Sequence, residues 1–432
     1  MNEIEKRNRL HFDVVVIGGG PAGLMAAGKA ALEGAKVLLL EKMEKPGRKL
    51  RITGKGRCNI TNLKPLDEFL EEINPQPNFL RDAFNEFFNH DIVQLLNKLG
   101  VETIVERGQR VFPVSGKAKD VAEALVRWAK SNGVTIVCYA KGYTLNIENG
   151  KIKGLNYSIN EGNRSQLKMV ECDCVVLATG GKSYPTTGST GDGYILANEC
   201  GHTIVPTRPA LMGVETDPVF HDAAGLFLKN VNLSLWINGK KKAEEFGEME
   251  ISPFGLDGPI VVRLSRRIVD AIDQGLVPEL HLDLKPALDP TKLEARIERE
   301  IHELPRIATT ELIRKLLPKE LVNILLDQLE LAAQKPASRI SADDRNAIIN
   351  FLKDLPFKVT GYRGWDEAIA TAGGVSLKEV NPRTMESKLI KGLFFAGELL
   401  DLDGSTGGYN LQIAFSTGWL AGKSAAIAIN NG

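Results

Sequence analysis

Cysteine is scarce in this chain. Cys58, Cys138, Cys172, Cys174 and Cys200 are odd in number and scattered, so a disulfide framework is excluded and reduced thiols are expected. Cys172 and Cys174 stand two apart with no histidine or second pair nearby, which is not zinc spacing. No metal is expected, and the two cysteines are read as flanking a buried strand. Net charge is absent as well, since 54 lysines and arginines balance 54 aspartates and glutamates. With no overall field toward nucleic acid or an anionic membrane, neither partner is expected. A long apolar run is also missing. The N-terminal MNEIEKRNRLHFD is charged and leads into a short strand that glycines interrupt at once, which is neither a signal region nor a membrane span. The expected location is the cytoplasm.

What is present is an ordinary globular composition, 43 % apolar and 25 % charged over 432 residues. Single cores tend to split beyond ~250 to 300 residues, so two or three domains are expected. The most informative stretch is DVVVIGGGPAGLMAAGKAALEGAKVLLLEK. Its β-branched run from Val14 to Ile17 is too short for a helix and reads as a strand buried on both faces. Gly18, Gly20 and Gly23 match GxGxxG around Pro21 and Ala22. In such a turn the first glycine permits the bend, the second admits a pyrophosphate and the third lets helix pack on strand. A second strand, Lys36 to Leu40, ends at Glu41 with Lys42 beside it, 21 residues past Gly20. An acid there accepts hydrogen bonds from a ribose.

FAD and NAD share this cradle, and two distant segments favour FAD. CDCVVLATGG carries a strand from Val175 to Leu177 into Ala178, Thr179 and Gly180. GLFFAGELLDLDGSTGGYNLQIAFSTG reads as a strand, then Gly397 and Glu398, then a glycine-rich turn into a helix, nearly 380 residues after the first cradle. A second helix N-terminus suits the flavin edge that turns negative on reduction. Asn410 and Leu411, at the start of that helix, are the residues expected at the edge.

RITGKGRCNITN, from Arg51 to Asn62, allows three readings. A phosphate loop of the GxxxxGK[ST] type would need glycine at Lys49 and a hydroxyl at Gly56, so it is excluded. Dithiol chemistry lacks a partner, because Cys58 has only Cys138 within a hundred residues. A small buried thiol is the commoner fate of such a cysteine. The reading that survives is a polar wall beside a planar ligand.

FAGELLDLDGSTGGYNLQIA, ATGGKSYPTTGSTGDGY, QRVFPVSGKAKDV and GKGRCNITN together resemble a bacterial family of FAD-dependent oxidoreductases that includes aminoacetone oxidases and the BaiN-like reductases of bile-acid metabolism. The resemblance covers nearly the whole chain. It implies an α/β fold, a Rossmann-type FAD-binding domain (glutathione-reductase-like) with an inserted β-barrel and helical-bundle module. It also implies Arg48 and Lys49 at the pyrophosphate, Gly142 by the adenine, and Arg57, Asn59 and Thr61 as donors near the flavin, Arg57 and Asn59 being the candidates for catalysis. Family members often carry a THxGxSGP-like stretch, whereas this chain has SPFGLDGP, with Pro253 in place of histidine and Asp257 in place of serine. His202 is the nearest alternative base, and a histidine at such a turn is more often structural. No acid or base is assigned.

The remaining patterns divide the chain. Val231, Leu233, Leu235 and Ile237 alternate before an Asn238 and Gly239 turn, which reads as antiparallel β. Leu293, Ile297 and Ile301 are spaced four apart, then Leu312 and Leu316, which is a helical period. The expected division is an FAD-binding domain over 1–205 and 371–432, a barrel over 206–265 and 337–370, and a helical insert over 266–336. The expected function is hydride transfer between flavin N5 and a small organic substrate, with NAD(P)H as donor or O2 as acceptor. A flavin-bound RNA- or partner-binding protein without its own redox turnover is the alternative.

Overall fold

The computed structural model describes residues 11–161 and 164–430, so the charged N-terminal stretch up to position 10 lies outside the described residues. Val14, Val15 and Val16 are fully buried, as a strand covered on both faces requires. They belong to β1 (His11–Ile17), which is followed by α1 (Pro21–Leu32) and β2 (Val37–Leu40). β2 runs parallel to β1. On the other side of β1 lies β3 (Arg164–Leu177), also parallel, and β4 (Leu393–Phe395) runs parallel to β3. All four strands therefore end at one edge of the sheet, where Gly18, Glu41, Ala178 and Ala396 emerge. This is the edge at which parallel α/β sheets bind ligands.

Two sequence expectations are refined here. The stretch VTIVCYAKGYTL has the sequence pattern of one strand leading to Gly142, and it forms two, Thr135–Val137 and Ala140–Glu148. The chain turns between them because Tyr139 takes φ 54° and its N–H donates to Met43 O at 3.0 Å. Cys172 and Cys174 lie within the long strand β3 rather than at its ends, and both are buried.

The last helix, α2 (Tyr409–Asn430), packs along α1. The helices approach through glycine. A β-carbon at Gly418 would stand 2.3 Å from Ala22 O, and one at Gly422 would stand 2.2 Å from Ala26 O. Only a residue without a side chain permits two backbones so near.

The chain forms two compact units, one running through Pro209 and resuming at Ala368, the other Ala210–Glu367. In the second unit six strands close into a barrel, in the order Val214–Asp217, Gly255–Asp257, Lys240–Ser252, Phe227–Ile237, Pro278–Asp283 and Leu355–Tyr362. Its interior is filled by side chains such as Leu233, Leu280, Leu282 and Phe357. The boundaries differ from those read in the sequence. Pro278–Asp283 is a barrel strand inside the stretch read as helical, and helix Ala342–Lys353 falls inside a stretch read as barrel. The strand PELHLD offers only two inward leucines between helices, so the longer helical period on either side masks its alternation.

Candidate functional site

At the end of β1, Gly18 takes φ 104°, and a β-carbon there would stand 2.4 Å from Ala178 O. A β-carbon at Gly23 would stand 1.8 Å from Gly18 O. The turn is thus wedged between α1 and the end of β3, whose Ala178 N–H donates to Ile17 O at 2.9 Å. Gly20 is the opposite case. It caps α1 with no side chain to satisfy the helix, Pro21 follows at the first turn, and space beside it is open. A helix end left uncapped beside open space has the donor set and positive potential that a pyrophosphate needs. On this observation the residues fit the phosphates of FAD.

Glu41, at the end of β2, is buried. Its Oε2 accepts from Gly19 N–H and its Oε1 from Met43 N–H, each at 2.8 Å. Burial raises its pKa above the usual carboxylate value, with the Met43 and Gly19 bonds acting in the opposite direction. A carboxylate has about four acceptor directions, so both oxygens retain capacity for ribose hydroxyls. Gly142 lies in the strand Ala140–Glu148 and faces Ile17, where a β-carbon would stand 2.9 Å from Ile17 Cδ1. The same stretch is tied to the end of β2, with Ala140 N–H donating to Glu41 O at 2.9 Å.

The other cationic candidates are held by protein groups. Lys42 donates to Thr190 Oγ1 at 2.5 Å and to Asp192 Oδ2 at 2.6 Å, and Lys141 pairs with Asp192 at 3.1 Å. Arg48 pairs with Glu44 and reaches Thr186 O at 3.1 Å. Lys49, expected at the pyrophosphate, instead pairs with Glu398 at 2.7 Å.

Beyond β4, Ala396 N–H donates to Leu177 O at 3.0 Å, and Gly397 N–H donates to Thr417 Oγ1 at 2.9 Å. A β-carbon at Gly397 would stand 2.7 Å from Ala22 Cβ, so this turn meets α1 one residue past its start. Thr179 and Gly180 continue the same edge from β3, with Thr179 Oγ1 2.0 Å from where a Gly193 β-carbon would stand.

The segment from Arg51 to Asn62 lies against the N-terminus of α2. Thr61 Oγ1 donates to Gln412 Oε1 at 2.7 Å in a buried setting. With its amide oriented to satisfy both ends, Asn59 accepts from Gly408 N–H and donates to Thr61 O, each at 3.2 Å. Asn62 Nδ2 reaches Gly407 O at 3.3 Å, and a β-carbon at Gly408 would stand 2.5 Å from Thr61 C. Arg57 departs from the expected direction. Its guanidinium pairs with Glu106 and covers the Phe112 ring at 4.4 Å, with about half of the side chain exposed, 48 %. Asn410 closes its own turn, accepting from Gly404 N–H at 2.9 Å and donating to Gly404 O at 2.6 Å. Leu411 follows it, partly buried.

Cys58 is buried, and burial pushes its thiol up to about 12, with the Thr53 hydrogen bond acting the other way. Thiolate is the reactive form, so native protein treated with iodoacetamide at about pH 8 is expected to leave Cys58 unmodified while unfolded protein is labelled there. Peptide mass spectrometry reads the result, and labelling of native Cys58 would restore the reactive-thiol reading.

His202 is buried as well. Its Nε2 lies 2.8 Å from Ser387 Oγ and its Nδ1 3.3 Å from Glu379 Oε2. Ser387 Oγ also accepts from Leu389 N–H at 3.0 Å and Ile390 N–H at 2.8 Å, which makes the group a latch rather than a nucleophile. Burial lowers the imidazole pKa more than Glu379 raises it, so the folded state holds a neutral ring. As pH falls past the ordinary histidine value of about 6.5, the unfolded chain takes up the proton first. Stability from His202 is therefore present above that pH and lost below it. Wild type should lose more stability than His202→Gln between about pH 7 and about pH 5 in urea titrations; equal losses would contradict the assignment.

The sequence had no signal for Ser183, Thr371, Asp192 or Thr417, whose partners are distant in the chain. Gly418 and Gly422 did leave one, a pair of glycines four apart in the last helix.

Parallel strands ending at a glycine turn before an uncapped helix are the framework of a Rossmann-type domain, and the family match together with a relative named as a reductase makes this an FAD-dependent oxidoreductase. The chain belongs to the family described as HI0933-like protein Rossmann domain, which matches residues 12–424. It is 33 % identical over 416 residues to the 3-dehydro-bile acid delta(4,6)-reductase of Clostridium scindens, covering 95 % of this chain and 98 % of that protein. It is 29 % identical over 432 residues to the ribosomal RNA dihydrouridine synthase of Escherichia coli, covering 96 % and 98 % respectively. Among solved structures, 3-ketosteroid delta1-dehydrogenase from Sterolibacterium denitrificans shares the fold, with a TM-score of 0.50, 14 % identity, and coverage of 96 % of this chain and 99 % of that one. Among the described residues no helix is long and apolar enough to cross a membrane.

Proposed function

We propose that the protein reduces a carbon–carbon double bond conjugated to a carbonyl. One observation carries this: relatives that match almost end to end are named for two different substrates but for one chemistry. Delta(4,6) reduction of a 3-oxo bile acid and conversion of uridine to dihydrouridine each saturate a C=C bond next to a carbonyl. FAD, when bound, supplies the hydride at N5. In this reading the uncapped start of α1, with Gly18, Gly20, Pro21, Ala22 and Gly23, holds the pyrophosphate, and Glu41 accepts from the ribose. Ala178, Thr179 and Gly180 line the same edge. The start of α2 directs its positive end toward the pyrimidine edge, and Asn59 with Thr61 fixes the wall beside it.

NAD(P)H is the proposed electron donor. Only one GxGxxG is present, so the nicotinamide docks at the flavin face with weak affinity and little discrimination between NADH and NADPH. A cytoplasmic location belongs to this reading, because all five cysteines are free and a reducing compartment keeps them so.

RNA as the carrier of the reducible base is a second reading, and one feature favours it. The hairpin turn between Thr103–Glu106 and Arg110–Pro113 exposes Arg107 and Arg110. The turn is fastened to the polar wall by Leu63 N–H to Gln109 O at 2.8 Å and by Asn62 Nδ2 to Gly108 O at 3.0 Å. Positive charge beside the wall suits a phosphate backbone. Purified enzyme with NADPH is to be given a 3-oxo-4-ene steroid or a uridine-containing ribosomal RNA transcript, and the products weighed by mass spectrometry. Gain of two hydrogens by the steroid supports the small-molecule reading; gain by RNA alone, weakening as salt rises, supports the second. Gain by neither would sink the enone proposal.

A further inference from the structure

We propose that His11, Asp13 and Asp173 bind one divalent cation, with zinc the ion their donors suit best; this does not rest on the reading of the protein as a flavin enzyme. His11 and Asp13 lie on β1 and Asp173 on β3. The parallel register pairs Phe12 with Cys172 and Val14 with Cys174, so Asp13 stands level with Asp173. Side chains alternate along a strand, which puts His11, Asp13 and Asp173 on one face of the sheet. One ligand atom from each lies within 4.8 Å of the other two, and His11 Nε2 already stands 3.3 Å from Asp173 Oδ2.

Three features separate this group from an ordinary exposed acidic patch. Two carboxylates level on neighbouring strands repel each other, and a cation between them removes that cost. One donor is an imidazole, which suits zinc and its first-row neighbours rather than magnesium or calcium. The third feature lies behind the ligands. Asp13 Oδ2 accepts from Lys36 N–H at 2.7 Å, while Asp13 N–H donates to Lys36 O at 2.9 Å. The other carboxylate oxygen remains for the ion, and the group is fixed from outside as metal-binding carboxylates commonly are. The His11 and Asp173 side chains are 49 % and 43 % exposed, so an ion enters from solvent and water completes the fourth position. Asp13 precedes Gly18 by five residues, about 16 Å along a strand. The ion therefore sits away from the cofactor turn and ties the start of β1 to β3. No local spacing announces the site, because the sheet register alone brings Asp173 level with Asp13.

Full-length protein stripped with EDTA and returned to chelator-free buffer is to be titrated with zinc chloride by calorimetry, and its melting followed with zinc and with magnesium. One zinc per chain is expected, with melting raised by about 5 °C at a hundredfold excess over Kd and unmoved by magnesium. Asp173→Asn and His11→Gln should each weaken zinc binding about tenfold or more. His90→Gln, at an exposed histidine on another element, should bind as wild type does. Equal zinc affinity in wild type, Asp173→Asn and His11→Gln would place the ion elsewhere and overturn the site. Wild type that takes up no zinc would overturn it as well. Stabilisation by magnesium equal to that by zinc would reduce the group to a patch that screens any cation, which also contradicts the proposal.

Discussion

Protein carrying Gly23→Ala is expected to purify colourless. The added methyl would lie 1.8 Å from Gly18 O, and Gly18 cannot retreat because its own α-carbon is set against Ala178, where a β-carbon would meet the carbonyl oxygen at 2.4 Å. Both obstacles are backbone, so no side-chain rotation relieves them. Overpacking of this kind costs on the order of 3 kcal/mol, and the strain falls on the turn proposed to hold the pyrophosphate. The ratio of flavin to protein absorbance after purification, and after incubation with added FAD, measures the effect. Wild-type occupancy in this variant would show that the turn is not the phosphate site.

A second large effect is expected where the helices cross. Gly418→Val puts its side chain into Ala22 O at 2.3 Å, while Gly422 makes the matching approach to Ala26 O one turn further on. The first turn of α1 belongs to the proposed cradle and the first turn of α2 meets the polar wall, so prising the helices apart disturbs both ends of the proposed site. A cost of about 3 kcal/mol or more, at ~2 to 4 °C per kcal/mol for a unit of this size, lowers the melting temperature by on the order of 10 °C. Gly364→Ala, with nothing within 4 Å of the added carbon, serves as the control and should melt as wild type does. Equal melting of Gly418→Val and the control would mean that the helix pair is loosely packed.

Features made by residues close in the chain were legible in the sequence. The turn from Gly18 to Gly23, the buried strand before it and the acid that ends β2 depend on local geometry, and that geometry requires glycine and β-branched residues at fixed spacings. The last helix, with its glycine-rich approach, could be read for the same reason. Contacts across the chain could not. Lys49 reads as a phosphate cation because a lysine after a dinucleotide strand has that chemistry, yet Glu398, 349 residues away, reaches it. Arg57 is drawn outward by Glu106, 49 residues on. In each case a partner was available that no local pattern announces. The barrel strand Pro278–Asp283 was hidden differently, because its two inward leucines are too few to stand out between helices.

The most direct test of hydride delivery to a conjugated double bond follows the flavin itself in the absence of oxygen. Enzyme reconstituted with FAD is bleached anaerobically with a small excess of NADPH, and a 3-oxo-4-ene steroid, its saturated ketone and a uridine-containing RNA are then added in separate samples. Return of the visible flavin band with a conjugated acceptor, and not with the saturated ketone, is the expected result. A band that stays bleached with every acceptor and returns only when oxygen is admitted, with release of peroxide, would contradict it and make the protein an oxidase.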